Sequence, residues 1–440
     1  MPMIDTLIKA RWIVPVEPPD AVLEHHALAI DRGRIVDILP GDDAELRYQP
    51  RHALNFDAHA LIPGLINAHT HAAMSLFRGL ADDLPLMSWL KEHIWPAESR
   101  WVDETFVYDG TALAAAEMLR GGVTCFNDMY FFPEVAARAA VSAGMRACVG
   151  LIVIDFPTVY ADNADQYISR ALAVHDEYKG DTLISTAFSP HAPYTVSDEA
   201  LGRVRTYADE LDIPVHMHVH ETADEIGQSI ASHGGRPLQR LAGLGLLSPS
   251  LLAVHMTQLT DADIEQVVGG GAHVLHCPES NLKLASGFCP VQKLMHAGVN
   301  VALGTDGAAS NNDLDMFAEM RTAALLAKAV AGDATALPAA RALRMATLNG
   351  AIALGLGEQT GSLVAGKSAD IVAVELDDIE ATPLYDPISQ LVYATGRHQV
   401  TDVWVAGKPV LENRRLTQLD QAELRARARE WSTRIREFKG

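Results

Sequence analysis

The stretch Leu61-Ile-Pro-Gly-Leu-Ile-Asn-Ala-His69-Thr-His71 decides how the rest of the chain is read. In an extended strand, residues two apart share a face and stand about 7 Å apart, so His69 and His71 point the same way. The run before them, Ala60 to Ile66, is apolar on both faces, as in a strand of a parallel sheet buried under helices. Neutral imidazole is the commonest metal-ligating side chain, and a pair at a strand end is half of a four-coordinate site. On its own, His-x-His reads as two polar residues in a turn. The remainder of the chain supplies partners for it.

Residues 58–360 alternate apolar strand-like runs with helix-like stretches, the pattern of βα units and a parallel sheet. After Ala60 to His71 the strands are expected at Val123 to Asp128, Arg146 to Ile154, Leu183 to Pro190, Pro214 to Glu221, Leu251 to Met256, Ala272 to Cys277 and Val299 to Asp306. Helices are expected between them at Glu104 to Arg120, Pro133 to Ala143, Asp198 to Leu211 and Asp261 to Gly269. Eight such units predict an α/β fold of the (β/α)8 TIM-like barrel type, with its site at the C-terminal ends of the strands. An open doubly wound sheet fits less well, because no Gly-x-Gly-x-x-Gly follows the first strand.

The two ends of the chain complete each other. Ile4 to Lys9, Trp12 to Val16, Ala27 to Asp31 and Arg34 to Leu39 read as strands, with a hairpin turn at Asp31-Arg32-Gly33. They are too few to close a core alone. Further strands are expected at Ala369 to Glu375, Val400 to Ala406 and Pro409 to Leu411. Segments 1–57 and 361–440 are therefore expected to form one small β-sandwich around the barrel. Leu337 to Leu354 reads as one helix, and Asp420 to Phe438 as a polar, solvated covering helix.

Of 440 residues, 48% are hydrophobic and 21% charged, near globular averages, and no apolar run approaches a bilayer span. Met1 to Val16 alternates like a strand rather than like an export signal, so a cytoplasmic location is expected. With 35 basic against 56 acidic residues the net charge is −21, which argues against nucleic acid as a partner. No membrane partner is expected; self-association into a homo-oligomer stays open. Cys125, Cys148, Cys277 and Cys289 lack Cys-x-x-Cys spacing and read as core residues.

Polar residues gather where the barrel strands should end. His69 and His71 close the first, Ser189-Pro-His191 the fourth, His216, His218, His220 and Glu221 the fifth, His255 the sixth, His276 the seventh, and Thr305-Asp306 the eighth. A single histidine at a strand end is usually a satisfied core residue, but six strands ending this way require a site. Imidazole and carboxylate without thiolate suit a catalytic zinc with an open water position, or iron or manganese in the same frame. The fourth strand end, Phe188-Ser-Pro-His191, has no lysine to bridge two metals, so one divalent metal per chain is expected.

The run Pro63 to His71, the His218-x-x-Glu221 spacing, His255 and Gly304-Thr-Asp306-Gly-Ala-Ala-Ser310-Asn resemble the amidohydrolase superfamily. More narrowly, Arg78-Gly-Leu-Ala-Asp-Asp-Leu-Pro-Leu, Trp95-Pro-Ala-Glu98, Ser189-Pro-His191-Ala-Pro-Tyr and Ser310-Asn-Asn-Asp-Leu-Asp-Met look like its 5′-methylthioadenosine/S-adenosylhomocysteine deaminase branch. The resemblance implies His69, His71, His218 and Asp306 as metal ligands, with zinc the expected metal, and Glu221 as proton shuttle. It further implies that His255 hydrogen-bonds the attacking oxygen, that Glu98 binds the ribose hydroxyls, that His191 meets a purine ring nitrogen, and that Ser310 lies in the substrate site. His220 stays the alternative ligand within its trio, and His216 is expected one layer deeper. The activity implied is hydrolytic deamination of an adenine nucleoside, a small-molecule substrate, with 5′-methylthioadenosine foremost and adenosine and S-adenosylhomocysteine beside it. One departure stands out: 151–167 contains no arginine to meet the homocysteine carboxylate, and Arg170 is the nearest. The alternatives are a relative acting on guanine, a pterin or a triazine, or a non-catalytic scaffold. Glu221 and His255 beside the ligands count against the last. The His-x-Glu and Pro-Cys-x-x-Cys signature of flipped-base deaminases is absent.

Overall fold

A computed structural model describes residues 1–437, and two eight-stranded sheets organise it. The chain opens with β1 (Met3–Ile13), β2 (Leu23–Asp31), β3 (Arg34–Pro40) and β4 (Gln49–Pro63). The barrel follows as β5 (Leu65–Thr70), β6 (Val123–Tyr130), β7 (Arg146–Val153), β8 (Ile184–Pro190), β9 (Val215–Val219), β10 (Leu251–His255), β11 (His273–His276) and β12 (Val301–Leu303). Last come β13 (Ile371–Glu375), β14 (Val400–Val405), β15 (Lys408–Glu412) and β16 (Arg415–Leu416).

β5 to β12 pair in sequence order and in parallel, with helices between them, the expected (β/α)8 barrel. Small and apolar side chains such as Ala68, Cys125, Cys148, Ala187, Val254 and Ala302 fill its interior. The seam between β12 and β5 is closed beyond the ladder: the Asp306 amide donates to the His69 carbonyl (3.0 Å), the Thr305 amide to Asn67 Oδ1 (3.0 Å), and Asn67 Nδ2 to Thr305 Oγ1 (2.8 Å).

The two ends build one mixed sheet in the order β16-β15-β14-β13-β4-β1-β2-β3, so the expected sandwich is a single hydrogen-bonded sheet. Alternation serves both of its faces: Ile8, Leu28 and Ile30 join one apolar cluster, Leu7, Ala27 and Ala29 another. Two hairpin turns touch where the ends meet. Arg32-Gly33 and Ala406-Gly407 all take left-handed backbone, and a Cβ on Gly33 would lie 2.6 Å from the Ala406 carbonyl oxygen.

Several boundaries differ from the sequence reading. β1 is one strand where two were expected. β4 covers the exposed residues from Gln49 onward, where no strand was expected, and claims Ala60 to Pro63 for the outer sheet; the barrel strand starts only at Leu65. The break falls at Gly64, where a Cβ would lie 1.9 Å from Thr124 Oγ1, so the outer sheet and barrel can approach only without a side chain there. Leu337 to Leu354 splits into Ala339–Met345 and Leu348–Ala353, because Thr347 leaves helical geometry (φ −133°, ψ −96°). The last helix, Gln421–Glu437, buries Trp431, whose Nε1 donates to Asp109 (2.9 Å), so it is more than a solvated cover. Its expected end, Phe438, lies outside the described residues. Among these residues all four cysteines are free and buried, and no helix is long and apolar enough to cross a membrane.

At the N-terminal end of β7, Arg146 Nε donates to Asp370 Oδ2 (2.6 Å), joining barrel to outer sheet. Asp370 also accepts from Ser368 Oγ (3.0 Å), Thr360 Oγ1 (3.0 Å) and the Ala406 amide (2.6 Å). Removing one partner of such a pair strands a buried charge. Asp370→Ala is expected to cost about 3–5 kcal/mol in equilibrium denaturation, with KM unchanged because the pair sits at the barrel end opposite the site. A loss below about 1 kcal/mol would show that the guanidinium finds water instead.

Candidate active site

Of the polar side chains at the C-terminal ends of the barrel strands, four converge. The Nε2 atoms of His69 and His71 lie 3.3 and 3.2 Å from Asp306 Oδ1, and His218 Nε2 lies 3.2 Å from His69 Nε2. The four ligand atoms all fall within 4.8 Å of one another. Donors about 2.0–2.1 Å from a tetrahedral centre stand about 3.3–3.4 Å apart, so the spacing fits one divalent cation.

Hydrogen bonds behind the cluster fix its tautomers. His71 Nδ1 donates to the Met129 carbonyl (2.5 Å) and His218 Nδ1 to the His191 carbonyl (2.8 Å). Each must therefore carry its proton on Nδ1, leaving the Nε2 lone pair facing the cluster. His69 Nδ1 meets His216 Nε2 (2.8 Å), which places His216 one layer deeper as an orienting partner. Burial holds the His69 pKa down to about 4 and that of His218 well below its ordinary value. Burial opposes charge on Asp306 too, but His69 and His71 hold its carboxyl well below the usual range. Burial opposes charge on His71 as well, but its hydrogen bond to Asp306 pushes its pKa up to about 9, so a cation at the cluster would displace the His71 Nε2 proton to reach the ligating forms, neutral imidazole and ionised carboxylate. Three nitrogens and one oxygen suit zinc, with a position left for water.

His220 turns away: its Nδ1 faces the Gln258 carbonyl (3.2 Å) and its Nε2 accepts from the Leu238 amide (3.2 Å), so it is no ligand in this structure. His276 is buried with Nδ1 unpartnered, and it lies outside the cluster. His255 Nε2 stands 3.8 Å from Glu221 Oε1, with its Nδ1 held by Asn281 Oδ1 (2.8 Å). His255 and Asp306 both take left-handed backbone (φ 73° and 61°), a conformation costing about 1–3 kcal/mol that re-aims the side chain at a strand end.

A pocket opens over the cluster, and Glu98, His191, Glu221, His255, Asp306 and Ser310 all contribute to its wall. Trp89, Trp95, Phe131 and Phe156 line its outer part, and among the described residues no lysine or arginine does. Arg170 instead lies over the Tyr160 ring, 4.8 Å from its centroid. Burial raises the Glu221 pKa, and raises that of Glu98 to about 7 against the pull of the Tyr130 hydroxyl. Burial also keeps His191 neutral, at about 3. Ser310 Oγ donates to Asp306 Oδ2 (2.9 Å), so it serves the cluster as well as the wall. The sequence reading missed Ser280, whose Oγ donates to the same oxygen (2.6 Å), and Asn281 behind His255. The signal was present in Pro278-Glu-Ser-Asn281, a helix-opening polar run directly after a barrel strand.

Fold and site together define a barrel hydrolase with a metal-binding cluster at its catalytic end. The amidohydrolase family profile matches residues 60–410, and the chain belongs to that family. It is 52% identical over 431 residues to a protein of Saccharophagus degradans named 5-methylthioadenosine/S-adenosylhomocysteine deaminase, covering 98% of this chain and 97% of that one. It is 57% identical to a solved adenosine deaminase of Xanthomonas campestris with bound zinc, at a TM-score of 0.98 over 99% of each chain. An atrazine chlorohydrolase of Arthrobacter aurescens superposes with a TM-score of 0.90 at 22% identity, covering 97% of this chain and 100% of that one, a likeness of fold.

Orienting partners of metal-bound histidines typically hold about 10–100-fold in affinity. His216→Phe is therefore expected to weaken metal retention by about that factor in a chelator competition, while His220→Gln retains about one equivalent per chain. Equal losses in the two variants would contradict the assignment of His216 behind the cluster and His220 outside it.

Proposed function

We propose that this chain is a metal-dependent deaminase of adenine nucleosides that converts 5′-methylthioadenosine and water to 5′-methylthioinosine and ammonia. The observation that carries the reading is one pocket holding the four-donor cluster, a buried carboxylate at Glu221, a second carboxylate at Glu98, and an apolar aromatic outer wall without a cation. The names of the Saccharophagus and Xanthomonas relatives support the same chemistry, and the bound zinc of the latter supports zinc.

A divalent metal held by His69, His71, His218 and Asp306 supplies Lewis-acid activation, making water a nucleophile at neutral pH. His255 orients the attacking oxygen as it adds to C6 of the purine, steadied from behind by Asn281. Glu221 takes the first proton from the attacking water and delivers it to the ring nitrogen beside C6; burial raises its pKa, which favours a carboxyl group that takes up a proton before giving it away. Asp306 accepts the second proton of the attacking oxygen as the C6–O double bond forms and the C6–N bond breaks, and that proton passes to the departing amine, so that ammonia leaves. His191, neutral, hydrogen-bonds another ring nitrogen. Glu98 accepts from both ribose hydroxyls, a charge-assisted contact stronger than a neutral one.

Glu221→Gln keeps the shape but cannot shuttle protons, so kcat should fall by about 10² or more while metal content stays at one equivalent. Parallel loss of metal and activity would make Glu221 a ligand instead. The 5′ tail meets aromatic and aliphatic side chains with no cation to pair with a carboxylate. 5′-Methylthioadenosine should therefore surpass S-adenosylhomocysteine by about tenfold or more in kcat/KM, roughly 1.4 kcal/mol. 2′,3′-Dideoxyadenosine should be poorer than adenosine, with the gap shrinking in Glu98→Ala and as pH falls through about 7, where Glu98 takes up a proton and becomes the weaker acceptor. Equal rates on the two thioethers would place a cation at the tail, and indifference to the missing diol would reject the assignment of Glu98.

A further inference from the structure

We propose that Glu225 is a positioning residue for deamination, holding the backbone of Glu221 so that its carboxylate faces the purine. The proposal rests on the deaminase reading and deepens it. β9 ends at Val219, and the chain then leaves the sheet through His220, whose backbone is left-handed (φ 54°). From there on the ladder no longer supplies partners for successive amides, yet both are buried. Glu225 Oε1 accepts from the His220 amide (3.0 Å) and Oε2 from the Glu221 amide (2.7 Å). On the other side, Thr257 Oγ1 donates to the Glu221 carbonyl (2.6 Å). Both backbone polar groups of the shuttle residue are thus held by side chains, and a small rotation of its Cα would carry the carboxylate away from His255.

The clamp is a variant of a familiar helix start. Thr222 caps the helix Ala223–His233 by accepting from the Glu225 amide (3.3 Å), which makes Glu225 the third residue of that helix. In an ordinary capping box a glutamate at this position reaches back to the amide of the cap residue. Here it reaches past the cap to the two residues before it, one of which is Glu221. Glu225 is buried and stays out of the substrate pocket, where Glu221 and Tyr194 form the wall, so its influence on the reaction runs through Glu221. A glutamine can satisfy only one of the two amides and turns an N–H toward the other; an alanine satisfies neither.

The test compares holoenzymes of wild type, Glu225→Gln, Glu225→Ala and Thr222→Ala with 5′-methylthioadenosine as substrate and 5′-methylthioinosine as competitive inhibitor. Both Glu225 variants should lose about tenfold or more in kcat with KM, product Ki and metal content within twofold of wild type, the alanine losing more than the glutamine. Thr222→Ala weakens the same helix start but leaves the clamp, so it should lower Tm while keeping kcat within twofold. Wild-type kcat in folded Glu225→Gln, or kcat falling equally in Thr222→Ala, overturns the proposal, as does a loss of metal or product affinity in step with kcat. If Glu225→Ala does not fold, Glu225→Gln decides alone. Failure of wild type to turn over the nucleoside would instead overturn the deaminase reading, which keeps the two failures apart.

Discussion

The carbonyls of Met129 and His191 take the Nδ1 protons of His71 and His218, leaving Nε2 lone pairs crowded with His69 around the Asp306 carboxylate. The Nε2 atoms of His69 and His218 face each other at 3.2 Å, close to the donor spacing around a tetrahedral cation. The fold imposes this arrangement, because it forms across the seam where β12 closes onto β5. The same residues that shut the barrel, Asn67, His69, Thr305 and Asp306, deliver two of the four ligands. Barrel closure therefore sets the distance between two of the four candidate ligands, and a metal bound there would stabilise the closed barrel.

That coupling explains which parts of the molecule were legible from the sequence. The ligands could be found because a buried imidazole or carboxylate at a strand end has no cheap alternative use, and because several strands repeat the pattern. Helices bounded by unambiguous caps, such as Asp103 before Glu104–Arg120 and Ser197 before Asp198–Leu211, begin where their caps predict. The misreadings fall where a residue's surroundings decide. Gln49 to Asp57 is mostly exposed and contains Pro50, so it carries no apolar alternation; it is a strand because β1 pairs with it in parallel. Val299 to Asp306 shrinks to Val301–Leu303 because the end of the strand is spent on aiming Asp306.

The residues behind the site were harder to see for another reason. Ser280, Asn281, His216 and Glu225 touch the reacting groups only through other side chains or backbone, and ordinary cap or core functions account for each of them in sequence. Their contribution emerges only when distances are known. Thr257 illustrates the point: its hydroxyl, just beyond β10, donates to the Glu221 carbonyl (2.6 Å) and lies 3.2 Å from that of Ser286, linking the end of β9 to a loop that the sequence places far beyond it.

Substrate selection has a different physical origin from catalysis in this architecture. The cluster and Glu221 lie at the strand ends, fixed by the barrel, whereas most of the aromatic wall comes from Leu86 to Ser99 and from Phe156 to Val159, segments outside the sheet, with Phe131 added just beyond β6. A barrel can keep its strand ends while such segments change, since one fold hosts many functions. What separates substrates is then a short set of features on those segments. Glu98, held in the helix Trp95–Trp101, puts a carboxylate in the pocket wall, and burial makes such a group costly to leave unpaired. The aromatic side chains beside it ask for an apolar tail, since a carboxylate there would be desolvated without a cation to meet it. The wall thus sets one acceptor beside apolar surface, and both face the four-donor cluster across a single pocket, so the same cavity that would activate water also selects what meets it.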